Sequence, residues 1–234
     1  MPPVIETDLL LVIGPHDHGP PPMQGLRACV WTEQDASPRH VVAREAAYDD
    51  YNLVFDIHRG RCASTPGKFL PGWAEWDACA ADLDLKDRPI DCLFYGALSE
   101  RRREILSSLG KEVAIEQPAF FLAGESKRGA LRLAKTVLIV HAYDRSTSEP
   151  FRLAEAASCG ALIVTEPQGD PEPFVETDFI TAPSHDLAKA IQTAIQKYPL
   201  FVETRRRAFD RAKANDAHAA VATILAALPC PTPA

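Results

Sequence analysis

The sequence predicts an α/β fold built on parallel sheets, and three observations carry that prediction. Strand-sized apolar runs alternate with helix-sized segments throughout residues 91–228, an order that places helices on both faces of a parallel sheet. Apolar runs such as Leu9-Leu10-Leu11-Val12-Ile13 are followed at once by turn residues, here Gly14-Pro15, as buried strands are. The 234 residues and 46% hydrophobic content suffice for one or two compact domains with real cores.

The elements follow in order. Leu9–Ile13 reads as a buried strand, and the Pro-, His- and Gly-rich segment 14–25 as a loop. Ala28–Thr32 is a second strand. Pro38 opens a helix through Tyr48, since proline suits a first helical turn. Asn52–Ile57 is a third strand and Lys68–Leu70 a short fourth. Residues 72–90 contain Trp73 and Trp76 and then turn polar and acidic; a domain boundary is expected near residue 88.

The second part is more regular. Asp91–Tyr95 is a strand ending at Gly96. Ser99 caps a helix through Leu109 with Glu100 in its first turn, and Gly110 ends it in the usual left-handed manner. Glu112–Ile115 is expected as a strand, Glu125–Ala134 as a helix and Thr136–Val140 as a strand. Phe151–Ser158 is a helix, followed by the strand Ala161–Thr165. Pro171–Val175 is expected to make one helical turn, Phe179–Thr181 a short strand, and Ser184–Lys197 an amphipathic helix capped by Ser184. Phe201–Leu228 reads as mostly helical, and residues 229–234 as a disordered tail.

Composition narrows the function classes. The formal net charge of −7 disfavours a broad nucleic-acid groove, which needs many Lys and Arg contacts to phosphates. The runs Arg101-Arg102-Arg103 and Arg205-Arg206-Arg207 are local exceptions or solvated helix faces. No apolar run approaches the ~20 residues of a membrane helix, and the N-terminus lacks a secretory pattern; a soluble cytoplasmic protein is expected. The six cysteines, at positions 29, 62, 79, 92, 159 and 230, form no CxxC pair, so neither a zinc ribbon nor a redox motif is indicated.

Parallel sheets bind ligands at the carboxyl ends of their strands, near a topological switch point. Gly96, Glu116, His141 and Glu166 lie just after strands and are therefore site candidates. The most informative stretch is residues 149–167, EPFRLAEAASCGALIVTEP. Its helix carries Arg152 and Glu155 on one face, then a small-residue turn, Ser158-Cys159-Gly160, leads into an apolar strand. Without a ligand, Arg152 and Glu155 would make only a surface ion pair of little energetic weight.

Three places in the chain resemble the GT-B fold glycosyltransferases, and more narrowly the family-1-type, spore-maturation-protein-like group. Leu93-Phe94-Tyr95-Gly96 followed by Ser99-Glu100-Arg101-Arg102-Arg103 is similar to that group's strand, Gly turn and Arg-bearing helix. Leu131–Val140 with His141 is similar to the strand before the donor loop, with His141 where asparagine is usual. Arg152-Leu153-Ala154-Glu155 with Gly160 is similar to its Arg-x-x-Glu and small-residue turn. Asn52-Leu53-Val54-Phe55 and Phe69-Leu70-Pro71 are weaker echoes of its N-terminal half. The resemblance covers residues 91–182 best.

That resemblance implies two Rossmann-like parallel-sheet halves facing a cleft: a reduced acceptor-side half over 1–88 and a donor half over 89–228. It implies sugar transfer from a nucleotide-sugar to an acceptor that is a glycan, a protein or a small molecule. No cofactor or metal is implied, because the leaving diphosphate is stabilised by helix N-termini and basic side chains. Donor-binding candidates are Gly96, Arg101, Arg103, His141, Tyr143, Arg145, Ser146, Arg152 and Glu155, with Glu155 on the ribose hydroxyls and His141 on the diphosphate or the sugar. Tyr95 or Tyr143 is a candidate to stack on the base. In the loop after the first strand, His16, Asp17 and His18 are candidates for the general base of an inverting transfer, with Glu33 and Asp35 behind them. His16 and His18 also suggest a metal pair, but the sequence supplies no evident third ligand. Two other readings stay open: a non-catalytic nucleotide-sugar binding protein on this fold, and a Rossmann oxidoreductase, which the lack of Gly-x-Gly-x-x-Gly after any strand disfavours.

Overall fold

The computed structural model describes residues 5–13, 23–32, 38–74, 88–118, 123–144 and 148–228. They form two compact units, one of residues 1–71 with 221–234 and the other of 72–220. Residues 75–87, beside the boundary expected from sequence, lie outside the described residues, as does the tail 229–234.

The first unit is a four-stranded parallel sheet in the order β1 (Ile5–Ile13), β2 (Met23–Trp31), β3 (Leu53–Asp56), β4 (Lys68–Phe69). Strand β2 is interior, so Ala28 through Trp31 are all buried, as the unbroken apolar run requires. Helix α1 (Pro38–Asp50) crosses from β2 to β3. Its Ala47, together with Tyr51 just beyond it, packs on the register partners Cys29 and Val54. Asn52 extends the β2–β3 ladder with its side chain: its N–H donates to Arg27 O and its Oδ1 accepts from Arg27 N at 2.9 Å. The short helix α2 (Arg59–Cys62) follows β3.

The second unit is a parallel sheet in the order β5 (Ile90–Phe94), β6 (Ala134–Ile139), β7 (Leu162–Thr165), β8 (Ile180–Thr181). Its strands alternate with period two between the faces. Cys92, Phe94, Leu138, Leu162 and Val164 pack against α3 (Glu100–Leu109) and α6 (Leu187–Gln196). Leu93, Val137, Ile139 and Ile163 pack against α4 (Gly124–Leu133), α5 (Pro150–Ser158) and α7 (Val202–Ala214). Helices on both faces are what the alternating pattern predicts. Helix α8 (Ala217–Ala227) closes the described chain, with Asp216 Oδ1 accepting from Ala219 N at 2.9 Å at its start.

The connection from β5 to β6 creates a switch point. From β5 the chain passes through α3 on one face and touches the outer edge of β5 at Glu116. There Glu116 N donates to Cys92 O and Phe94 N donates to Glu116 O. It returns through α4 on the opposite face to β6, on the other side of β5. Consecutive connections thus diverge from β5, and the crevice at the ends of β5 and β6 is where such sheets take ligands.

Several sequence expectations need correction. Glu112–Ile115 is not a strand. The N–H groups of Glu112 and Val113 both donate to Leu109 O at 2.9 Å, closing the end of α3, and only Glu116 reaches the sheet. Gly110 has φ −62, so the helix ends without a left-handed residue; tight turns at Lys111 and Glu112 finish it instead. Ser184 begins a 3-10 turn, Ser184–Asp186, and makes no capping bond; the α-helix starts at Leu187. Pro171–Val175 forms a single hydrogen-bonded turn, Phe174 N to Pro171 O, rather than a helical one. The helical stretch after Phe201 is broken at Asn215-Asp216.

Candidate functional site

Three strand ends of the second unit meet two helix starts. Gly96 follows β5 with φ +118, a conformation that favours glycine, and the guanidinium of Arg152 lies 3.6 Å from where its Cβ would be. Ser99 then caps α3, its hydroxyl accepting from Arg102 N at 3.2 Å, as the sequence predicts.

Arg101 projects from the first turn of α3 onto the ends of β6 and β7. Its Nη2 donates to Glu166 Oε1 at 2.6 Å and its Nη1 to Glu166 Oε2 at 2.8 Å, a bidentate pair. Nη1 also donates to His141 O at 3.0 Å, and Nε to Asp144 Oδ1 at 2.8 Å. Glu166 Oε2 accepts a further bond from His141 N at 2.8 Å. Burial pushes the Glu166 carboxyl up, but the Arg101 guanidinium and the His141 N–H outweigh it and hold the group below its ordinary value. The same pairing raises Arg101 above its own.

Arg152, on the first turn of α5, faces the same place. It donates to Tyr95 O and, at 3.4 Å, to Val140 O. Its guanidinium stacks over Phe94 and Tyr95, at 5.1 and 4.9 Å from the ring centres. Arg102 is buried behind them, bonded to Val140 O, Ala97 O and Glu149. The start of α5 is held by Gln168, whose Oε1 accepts from Glu149 N at 3.0 Å. Gly96, Arg101, His141, Arg152 and Glu166 are therefore brought together at the switch point.

Glu155 is placed differently from a surface ion pair. It is buried on α5; Oε1 accepts from Lys127 Nζ of α4 at 2.5 Å and Oε2 from the Tyr95 hydroxyl at 3.1 Å. Tyr95 is buried, and burial first, then the Glu155 charge, drives its hydroxyl pKa well up. Through Tyr95, Glu155 is coupled to the same strand end that Arg152 grips. Arg103, Tyr143 and Glu116 are exposed. Arg145, Ser146, His16, Asp17, His18, Glu33 and Asp35 lie outside the described residues.

Sequence reasoning missed three buried groups. Arg88 donates to the carbonyls of Leu131, Ala134 and Cys159, tying the ends of α4 and α5 at the opposite edge of the sheet; an arginine beside a proline in a polar stretch carries no signal of that role. Gln168 donates to Thr165 Oγ1 at 2.8 Å and Glu166 O at 3.1 Å and shapes the turn after β7. In the first unit, Asp56 ends β3 fully buried, its Oδ1 accepting from His58 N at 2.8 Å and Arg61 Nη2 at 2.6 Å. Burial raises its carboxyl pKa against the pull of Arg61. An aspartate immediately after an apolar strand was the available signal.

Among the described residues no group of three or more His, Cys, Asp or Glu side chains is placed to hold a metal ion, and no helix is long and apolar enough to cross a membrane. Arg101, paired with Glu166 and Asp144, and Arg152 stand beside the starts of α3 and α5, and helix N-termini suit an anion.

No protein-family model and no curated relative matches the sequence. Solved structures match the fold. The chain is similar to Anabaena HepE in complex with UDP and glucose, with a TM-score of 0.62, 16% identity, and coverage of 88% of this chain and 72% of that one. It is similar to sucrose-phosphate synthase from Thermosynechococcus elongatus, with a TM-score of 0.61, 12% identity and coverage of 86% and 67%. The pneumococcal O-GlcNAc transferase GtfA, in complex with UDP and GlcNAc, matches with a TM-score of 0.55 at 12% identity; the chain spans 52% of its length. At these identities the likeness speaks for fold alone, and the fold is GT-B-like, with two parallel four-stranded α/β units among the described residues.

Proposed function

We propose that the protein is a metal-independent glycosyltransferase, close to the family-1-type, spore-maturation-protein-like group, that moves a sugar from a nucleotide-sugar donor to an acceptor. The observation that carries this reading is the convergence of Arg101 and Arg152 with the ends of β5, β6 and β7 at the switch point of a GT-B-like sheet. The second unit takes the donor; HepE, whose fold this chain is similar to, is solved in complex with UDP-glucose. Arg101, Arg152 and the starts of α3 and α5 receive the diphosphate, and Glu155 the ribose. Gly96 lets the backbone pass close by. Arg103, Tyr143, Arg145 and Ser146 complete the donor loop, and His16, Asp17 or His18 takes the acceptor proton.

In this reading Arg101 exchanges its bidentate partner Glu166 for the donor diphosphate. Charge developing on the leaving group is then met by positioned donors, each worth about 3 kcal/mol in the transition state. A thermal-shift screen of UDP, GDP, ADP and TDP with their sugar esters tests this. A raised melting temperature with at least one, lost in Glu155→Gln, is the expected result; no shift with any of them contradicts it.

A second reading, a non-catalytic nucleotide-sugar binding protein, draws on the internal pairing of Glu155 with Lys127 and Tyr95. It predicts donor binding without hydrolysis or transfer over a broad acceptor panel, and measured turnover eliminates it.

A further inference from the structure

His141 is held at three points. Its N–H donates to Glu166 Oε2 at 2.8 Å, its carbonyl accepts from Arg101 at 3.0 Å, and its ring Nε2 lies 2.9 Å from Pro167 O. A carbonyl oxygen only accepts, so Nε2 carries the proton. Gln168 Nε2 stands 3.4 Å from the same ring nitrogen, but it donates at shorter range to Thr165 Oγ1 and Glu166 O. In the neutral ring, Nδ1 is then an acceptor with a free lone pair. It is buried, in a residue 6% exposed, and has no hydrogen-bond partner among the described residues. Buried polar atoms are rarely left so, and an exception calls for a missing partner.

We propose that Nδ1 of His141 accepts a hydrogen bond from a hydroxyl of the transferred sugar and so discriminates the glycosylated donor from the bare nucleotide. The inference rests on the nucleotide-sugar reading above and narrows it. While the ring is neutral the diphosphate is no partner for Nδ1, because an acceptor nitrogen and ionised phosphate oxygens share no proton. The phosphates are left to Arg101 and Arg152, which only donate. Glu166 and Pro167 act through His141 as positioning residues: the Pro167 carbonyl fixes which ring nitrogen is protonated, and Glu166 holds the backbone N–H that sets where the ring sits.

Calorimetric titration of the full chain with each nucleoside diphosphate (UDP, GDP, ADP and TDP) and its glucose ester separates the possibilities. In His141→Phe the glucose ester is expected to weaken by roughly five- to tenfold, while the parent diphosphate keeps its affinity. A structural role would weaken both alike, so the ratio is the readout. Histidine nitrogen NMR of the unaltered protein gives a second one: Nδ1 is unprotonated in the free protein and shifts with the glucose ester but not with the diphosphate. Equal weakening of both ligands, no weakening of either, or an Nδ1 that carries the proton in the free protein overturns the inference while leaving the donor-site reading standing. A wild-type chain that binds none of these ligands overturns both.

Discussion

Lys127 and Glu155 form a buried ion pair between α4 and α5, completed by the Tyr95 hydroxyl. Removing one partner leaves an uncompensated buried charge, so Glu155→Ala should destabilise by about 3–5 kcal/mol in denaturant unfolding. The double variant Lys127→Met with Glu155→Leu should recover most of that loss, because an apolar pair of similar volume suits the site. Glu166 adds a pH signature. Its carboxyl is held below the ordinary 4.5 in the folded chain, so its pairing contributes stability that is complete above that value and is lost as pH falls through the folded pKa. The melting-temperature gap between wild type and Glu166→Gln should therefore be widest near neutral pH and close in acid. At this scale, sequence pattern singled out His141 because it follows a strand, Arg101 and Arg152 because they lie in first helical turns, and Glu155 because it stands one turn past Arg152. It gave no access to their partners. Lys127 stands 28 residues from Glu155, and Glu166 stands 65 from Arg101; only the packed sheet brings such pairs together.

Helix and strand ends carry the next level. Ser99→Ala should cost about 1 kcal/mol through loss of the α3 cap, and with it the fixed start of the helix that aims Arg101. Gly72 is more constrained than any turn signal suggested. A Cβ there would stand 2.7 Å from Pro150 Cβ and 2.9 Å from Pro150 C, the first residue of α5. Gly72→Ala must therefore displace the start of α5, and Arg152 with it. Its expected effect on donor affinity in titration is larger than its effect on the melting temperature. Capping residues and unbroken apolar runs are local, which is why α3, β5, β6 and β7 were legible from sequence within a residue or two. The 112–115 segment was not. Its apolar content reads as a strand, but the N–H groups of Glu112 and Val113 are already taken by Leu109 O. Gly72 was illegible for the same kind of reason, since close approach to α5 is a tertiary fact.

At the scale of the molecule, the described residues contain two parallel sheets of four strands each. The alternation of strands and helices over 91–228 foretold the second sheet, and the switch point at β5 and β6 follows from one bridge at Glu116 that no sequence pattern announces. The four strands of the first sheet were each expected, but β1 begins at Ile5 rather than Leu9 and β2 at Met23 rather than Ala28, where polar residues interrupt the apolar run. The sheet has the same parallel character, with β1 through β4 in chain order. A parallel sheet of this kind gathers chemistry at the carboxyl ends of its strands. In the second unit those ends hold Gly96, His141 and Glu166, with two arginines above them. The account's central claim is that this edge receives a nucleotide-sugar. Calorimetric titration of the intact protein with UDP-, GDP-, ADP- and TDP-sugars measures it most directly: saturable binding of at least one, abolished in the Arg101→Ala, Arg152→Ala double variant, is the predicted result. Binding of none, or binding that survives loss of both arginines, contradicts it.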